Sequence, residues 1–77
     1  MRSDIAECVR RSLDRYFRDL DGEKPAAVYE MVLSQVERPM LEVVMRQAKN
    51  NQTVAARILG INRNTLRRKL ADNDLAR

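Results

Sequence analysis

Seventy-seven residues make one domain at most, and a chain of that length buries only about 60% of its unfolded surface, so its own core is marginal. The single cysteine, Cys8, excludes an internal disulfide, and the absence of histidine excludes His-based zinc sites, so a partner subunit is the expected staple. The net charge of +4 is unevenly spread, with nine acids and eight bases in residues 1–48 against two acids and seven bases in residues 49–77.

Ser3 to Leu20 reads as an amphipathic helix, with Ser3 or Asp4 as its cap and Glu7 in its first turn. Ile5, Val9, Leu13, Tyr16, Phe17 and Leu20 recur at three- and four-residue spacing and build one apolar stripe. Asp21-Gly22 ends the helix, because glycine accepts the left-handed conformation found past a helix terminus. The charges scattered through this segment leave no continuous apolar run, so no secretory signal is visible and a cytoplasmic location is expected. Cys8 reads as a small helix residue rather than a redox centre.

Pro25 to Ala48 reads as a second, longer helix, with Pro25 in the first turn, where an amide hydrogen has no partner to lose. Val28, Tyr29, Met31, Val32, Leu33, Val36, Met40, Leu41, Val43, Val44, Met45 and Ala48 cover more than one face. A helix apolar on several sides needs burial on several sides, which so short a chain cannot supply alone. Pro39 removes an amide donor inside this segment; since the apolar pattern runs across it without a polar loop, a kinked helix is expected rather than two helices. Val9, Leu13, Phe17, Val32, Val36, Met40 and Val44 are the candidate core of a homodimer, which assigns residues 1–48 to dimerisation. No segment approaches the length of a membrane span.

Residues 49–77 form the other functional region. Asn51 can cap a short helix over Gln52 to Leu59, and Asn62 a second over Arg63 to Ala71, with Asn73 near its end. A helix-turn-helix requires small residues where its helices touch, a glycine at the turn, apolar plugs around it and a second helix with one polar face. Ala55 and Ala56, Gly60, Leu59 and Ile61, and Leu66 with Leu70 fill those places. With Leu66 and Leu70 inward, the helical period puts Asn64, Arg68 and Ala71 outward, Thr65 and Lys69 on one flank and Arg67 on the other. From Lys49 to Ala71 there are six bases and no acid, a local field that suits a polyanion. Arg63, Thr65, Arg68 and Asn62 are candidate base-edge contacts in the major groove of double-stranded DNA. Asn51, Thr53, Arg67, Lys69 and Lys49 are candidate phosphate contacts, the helix starts adding their backbone amides. The bland alternative is a helical hairpin with a solvated basic face, in which Asn51 and Asn62 are caps alone.

The stretch GINRNTLRRKL resembles the C-terminal signature of the factor-for-inversion-stimulation (Fis) family of bacterial nucleoid proteins, and the similarity extends back through VYEMVLSQVERPMLEVVM to RSLDRYFRDLDG. The resemblance implies an all-α fold of four helices, with the first two of each subunit interlocked in a homodimer and Pro39 within one kinked helix. It further implies two recognition helices closer together than one duplex turn, so that DNA bends to meet both. It implies a base-reading role for Arg63, action as a global transcriptional regulator in the nucleoid, and RNA polymerase as a candidate partner. Three departures stand out. The chain starts almost at its first helix, without the N-terminal arm that activates a DNA invertase in better-known members, so invertase activation is not expected. Val54 stands where a basic residue often follows Asn-Gln-Thr, and Ala71, Asp72 and Asp74 replace a more basic C-terminus, which should weaken non-specific binding.

Two rival readings differ in kind. The segment could be the DNA-binding domain of a larger activator of the nitrogen-regulation type, or a dimerisation or adaptor module working through protein contacts alone. The second explains the apolar helix but not the acid-free stretch. An enzyme is not expected, since histidine, a paired-carboxylate pocket and a phosphate-binding glycine loop are all missing, and no cofactor or metal is called for.

Overall fold

A computed structural model describes residues 4–76. The described chain is all-helical, with four helices and no strands: α1 (Asp4–Asp19), α2 (Val28–Gln47), α3 (Gln52–Leu59) and α4 (Arg63–Asp72). It divides into two compact units, Met1–Val32 and Leu33–Arg77.

In the first unit, α1 starts at Asp4, with Asp4 and Glu7 in its first turn and Arg18 in its last, a distribution that complements the helix dipole. The Ser3 cap lies outside the described residues. An exposed ion pair joins Arg10 to Glu7 at 3.2 Å. The helix stops at Asp21 and Gly22, both at positive φ (52° and 89°), and the amide of Glu23 donates back to the carbonyl of Leu20. No side chain of α1 is buried: its apolar stripe runs from Ile5, 67% exposed, to Phe17, 49% exposed, whose ring meets that of Tyr16 edge-on at 5.3 Å.

The second helix begins at Val28 rather than at Pro25 as the sequence suggests. Ala27 sits at φ 56°, outside the right-handed helical region, and its carbonyl takes the first helical bond from Met31. Neither Ala26 nor Ala27 has a side chain that can cap an earlier start, so Pro25 stiffens a loop instead of opening a helix. Pro39 lies inside one continuous α2, as the unbroken apolar pattern predicts.

The second unit holds the core. Leu41, Ala48, Ala55, Ala56, Leu66 and Leu70 are buried together, with Val44, Met45, Val54, Leu59, Ile61 and Leu75 packed around them. Leu41, Val44, Met45 and Ala48 follow the i, i+3, i+4, i+7 rule, so one face of α2 seats the helix pair α3–α4. Val44, assigned to a dimer core from the sequence, thus serves the core of its own chain. A second stripe of α2, set off by about a third of a turn, consists of Leu33, Val36, Met40 and Val43. Leu33, Met40 and Val43 remain exposed there, Val43 by 51%. Among the described residues no helix is long and apolar enough to cross a membrane.

Candidate nucleic-acid interface

The interface is built by how three helices end and two begin. After α2, Lys49 at φ 54° donates its amide to the carbonyl of Arg46 (3.1 Å), and Asn50 at φ 64° donates to that of Met45 (2.9 Å). After α3, Gly60 at φ 74° donates to Arg57 (3.2 Å) and Ala56 (2.8 Å), and Ile61 to Ala56 (3.1 Å). After α4, Asp74 at φ 58° donates to Ala71 (3.1 Å) and Leu75 to Leu70 (2.7 Å). Each is a Schellman closure, with a left-handed residue followed by one whose amide reaches five residues back. At the second and third closures that next residue, Ile61 or Leu75, packs on the core.

Between these closures both helices of the pair start on asparagine. Asn51 Oδ1 accepts from the amide of Val54 at 3.1 Å, and Asn62 Oδ1 from that of Asn64 at 2.7 Å. Ala55, 0% exposed, and Ala56 are buried in the core where α3 meets α4, and the two helices are in direct contact. Small side chains there allow the approach, which Leu66 and Leu70 complete from α4. The left-handed turn at Gly60 points α4 away from α3, and a Cβ at Gly60 would meet no atom within 4 Å, so glycine is required for its φ alone.

Seated in this way, α4 presents Arg63, Asn64, Arg67, Arg68 and Ala71 to solvent, with Thr65 half-buried on the flank. Asn64, Arg67, Arg68 and Ala71 also line an open groove together with Gln52, the first residue of α3. Asn51, Thr53, Asn62 and Lys49 are likewise exposed, near the starts of α3 and α4. None of Lys49, Arg57, Arg63, Arg67 and Arg68 pairs with a carboxylate among the described residues. The fold therefore brings Asn62, Arg63, Arg67 and Arg68 together on one helix and joins Gln52 to them, a residue absent from the sequence-derived contacts.

Lys69 is placed differently. Its Nζ lies 2.8 Å from Oε2 of Glu37 in α2, and both side chains are partly buried. Glu37 Oε1 accepts from Nδ2 of Asn73 at 3.2 Å, and the same Nδ2 donates to the carbonyl of Lys69 at 2.8 Å. Nη1 of Arg38 donates to the carbonyl of Asn73, while its Nε stands 3.5 Å from Glu42 Oε2. The bond from Lys69 holds the Glu37 carboxyl below its ordinary range, with burial opposing and Asn73 assisting. The sequence holds one signal for this cluster: Glu37 precedes Leu41 by four residues, so a charge stands on the face of α2 that seats the helix pair.

The family model for bacterial regulatory proteins of the Fis family matches residues 32–72, more than half of the chain. A Fis-like DNA-binding protein of Ralstonia nicotianae is 61% identical over 74 residues, covering 96% of each chain. A Fis-like DNA-binding protein of Neisseria meningitidis serogroup A is 53% identical, covering 94% of this chain and 91% of its own. The DNA-binding protein Fis of Glaesserella parasuis is 52% identical over 66 residues, covering 86% of this chain and 67% of its own. A helix pair packed on either side of Gly60, outward arginines unpaired among the described residues, the family match and near full-length likeness to the Ralstonia and Neisseria relatives agree, and the chain belongs to the Fis family of bacterial regulatory proteins.

Proposed function

We propose that the protein is a homodimer that binds double-stranded DNA with α4 in the major groove, bends it, and acts as a nucleoid-associated regulator of transcription in the bacterial cytoplasm. One observation carries the DNA reading: the outward face of α4 holds Arg63, Asn64, Arg67 and Arg68 with no carboxylate to neutralise them among the described residues. Arg63 in the first turn is the base reader, suited to guanine by its fork of donors. Thr65, Arg68 and the amide nitrogen of Asn62 complete the groove contacts. Asn51, Thr53, Lys49 and Arg67 hold phosphates, helped by the amides at the start of α3. The names of the Ralstonia, Neisseria and Glaesserella relatives, each described as DNA-binding, support the same reading.

The dimer reading is supported by the uncovered apolar stripes on α1 and α2. Leu33, Met40 and Val43 form an exposed apolar row along α2, and Ile5 and Phe17 are exposed on α1; such a row suits a second copy of the chain. Two copies of α4 related by a two-fold axis would enter successive grooves, and DNA bends where their spacing falls short of a helical turn. RNA polymerase is the partner through which regulation would act.

The test is a gel shift on A/T-rich duplex at moderate salt, joined to sedimentation of the free protein at micromolar concentration. A retarded complex and a species of twice the 8.9 kDa chain mass are expected. A monomer in solution, or no binding to duplex, would overturn the proposal.

A further inference from the structure

Lys69 lies among the bases of α4, one residue from Arg68, yet its ammonium points back to the protein. Glu37 divides its carboxylate between two donors on α4, Nζ of Lys69 at 2.8 Å and Nδ2 of Asn73 at 3.2 Å. The residue next to Glu37, Arg38, grips the carbonyl of Asn73. Asn73 is the residue that caps α4, and its Nδ2 also bonds the carbonyl of Lys69. The C-terminal turn of α4 is thus held on α2 by polar bonds on both sides of one asparagine. All of them come from the two residues immediately before Pro39. A proline inside a helix leaves one ladder bond unmade and bends the axis locally. The clamp therefore fastens the end of α4 beside the proline carried inside α2. The opposite end of α4, with Arg63, has no polar bond to α2 among the described residues, so the fastening sets the direction in which that end points.

We propose that Glu37, Lys69 and Asn73 are positioning residues that fix the pitch of α4 against α2, and that Lys69 sets the geometry of the bent complex instead of contacting a phosphate. The inference rests on the DNA-bending reading above. A recognition helix of fixed pitch forces the duplex to come to it. One free to rock accommodates straighter DNA, at the expense of contacts made only when the duplex bends. A phosphate contact by Lys69 would have a different signature, one fewer counterion released when it is removed.

The experiment compares full-length wild type with Glu37→Gln, Lys69→Met and Lys69→Arg on two duplexes of one sequence, one intact and one with a single-nucleotide gap at its centre. Binding is read over a salt series, bending by circular permutation, and folding of each variant by its helical circular dichroism at the assay temperature. Glu37→Gln and Lys69→Met are expected to lose about fivefold on the intact duplex, which corresponds to roughly 1 kcal/mol. Both should recover most of that loss on the gapped duplex, which bends at little cost. Both should also bend the intact site less, with an unchanged slope of log affinity on log salt. Lys69→Arg keeps the pair and is expected to match wild type throughout. A slope shallower by about one for Lys69→Met alone, or tighter binding by Glu37→Gln as a freed lysine reaches phosphate, would overturn the positioning role and leave DNA binding intact. So would a loss of equal size on both duplexes, or variants that do not fold. Wild type that binds neither duplex would overturn the functional reading itself.

Discussion

Nζ of Lys69 in α4 meets Oε2 of Glu37 in α2 at 2.8 Å, and the two residues stand thirty-two positions apart in the chain. With the bonds of Glu37 and Arg38 to Asn73, this pair links the C-terminal end of α4 to α2. Its chemistry has a direction in pH. The Glu37 carboxyl is held below its ordinary value of 4.5, chiefly by the bond from Lys69. A carboxyl that is more acidic folded than unfolded contributes stability above its unfolded pKa, and that contribution is lost as pH falls through the folded one. Wild type is therefore expected to be more stable than Glu37→Gln at neutral pH, with the two converging as pH drops below 4.5. Thermal melts over a pH series, followed by circular dichroism, check this; a difference that persists unchanged into acid would assign it to packing instead.

Arg63 and Arg67 are both exposed on α4 and both unpaired among the described residues, but they should fail in different ways. Arg63→Ala is expected to cost about 1–3 kcal/mol per half-site and to relax sequence preference. Arg67→Ala should weaken binding similarly on every sequence and reduce the salt slope by about one. Competition binding on matched and scrambled duplexes separates them, and equal loss on both duplexes for Arg63→Ala would remove it as a base reader.

Gly60 and Lys49 occupy the same backbone region, at φ 74° and 54°, with opposite consequences for substitution. Gly60→Ala meets no steric obstacle, so its cost is that of a left-handed alanine, about 1 kcal/mol. Lys49→Gly relieves that cost at its own site, partly offset by the entropy glycine loses on folding, for a gain of about 0.5 kcal/mol. If Lys49 holds a phosphate, the same change raises the unfolding midpoint while lowering DNA affinity. Denaturant melts and binding titrations on one preparation read both, and unchanged affinity would release Lys49 from the interface.

Leu33, 44% exposed, lies on the stripe of α2 that includes Met40 and Val43, also exposed. Leu33→Glu is expected to convert a dimer to a monomer or to an unfolded chain in sedimentation. Were the stripe solvated in the working molecule, this substitution would be near neutral, and a variant with wild-type sedimentation and wild-type stability would refute the dimer core.

The parts of the fold that the sequence disclosed are those fixed by local chemistry. Residues 52–59 are helical as expected because both ends are written in single residues, Asn51 as cap and Gly60 as left-handed closure. The inward pair Leu66 and Leu70 and the small pair Ala55 and Ala56 are buried where the helical period placed them. The start of α2 lies three residues beyond the expected Pro25, which suits a first turn, because Ala27 stands at φ 56° and has no capping side chain to advertise it. Periodicity discloses that α2 is apolar on more than one side but not which side packs within its own chain. Leu41, fully buried, and Val44 both turn to the helix pair of their own chain. The pairing of Lys69 was illegible for a similar reason: in a run of bases nothing local distinguishes the one that faces a distant carboxylate.

The second helix lends one face to its own chain and leaves another exposed; in the proposed dimer that second face seats the other copy, so folding and association would share the same turns of backbone. In a dimer of this kind the unfolding midpoint climbs with protein concentration by mass action. Cellular abundance would then govern how much competent protein exists as well as how many operators are filled. A dilute cell would lose regulator twice over, by vacancy and by melting.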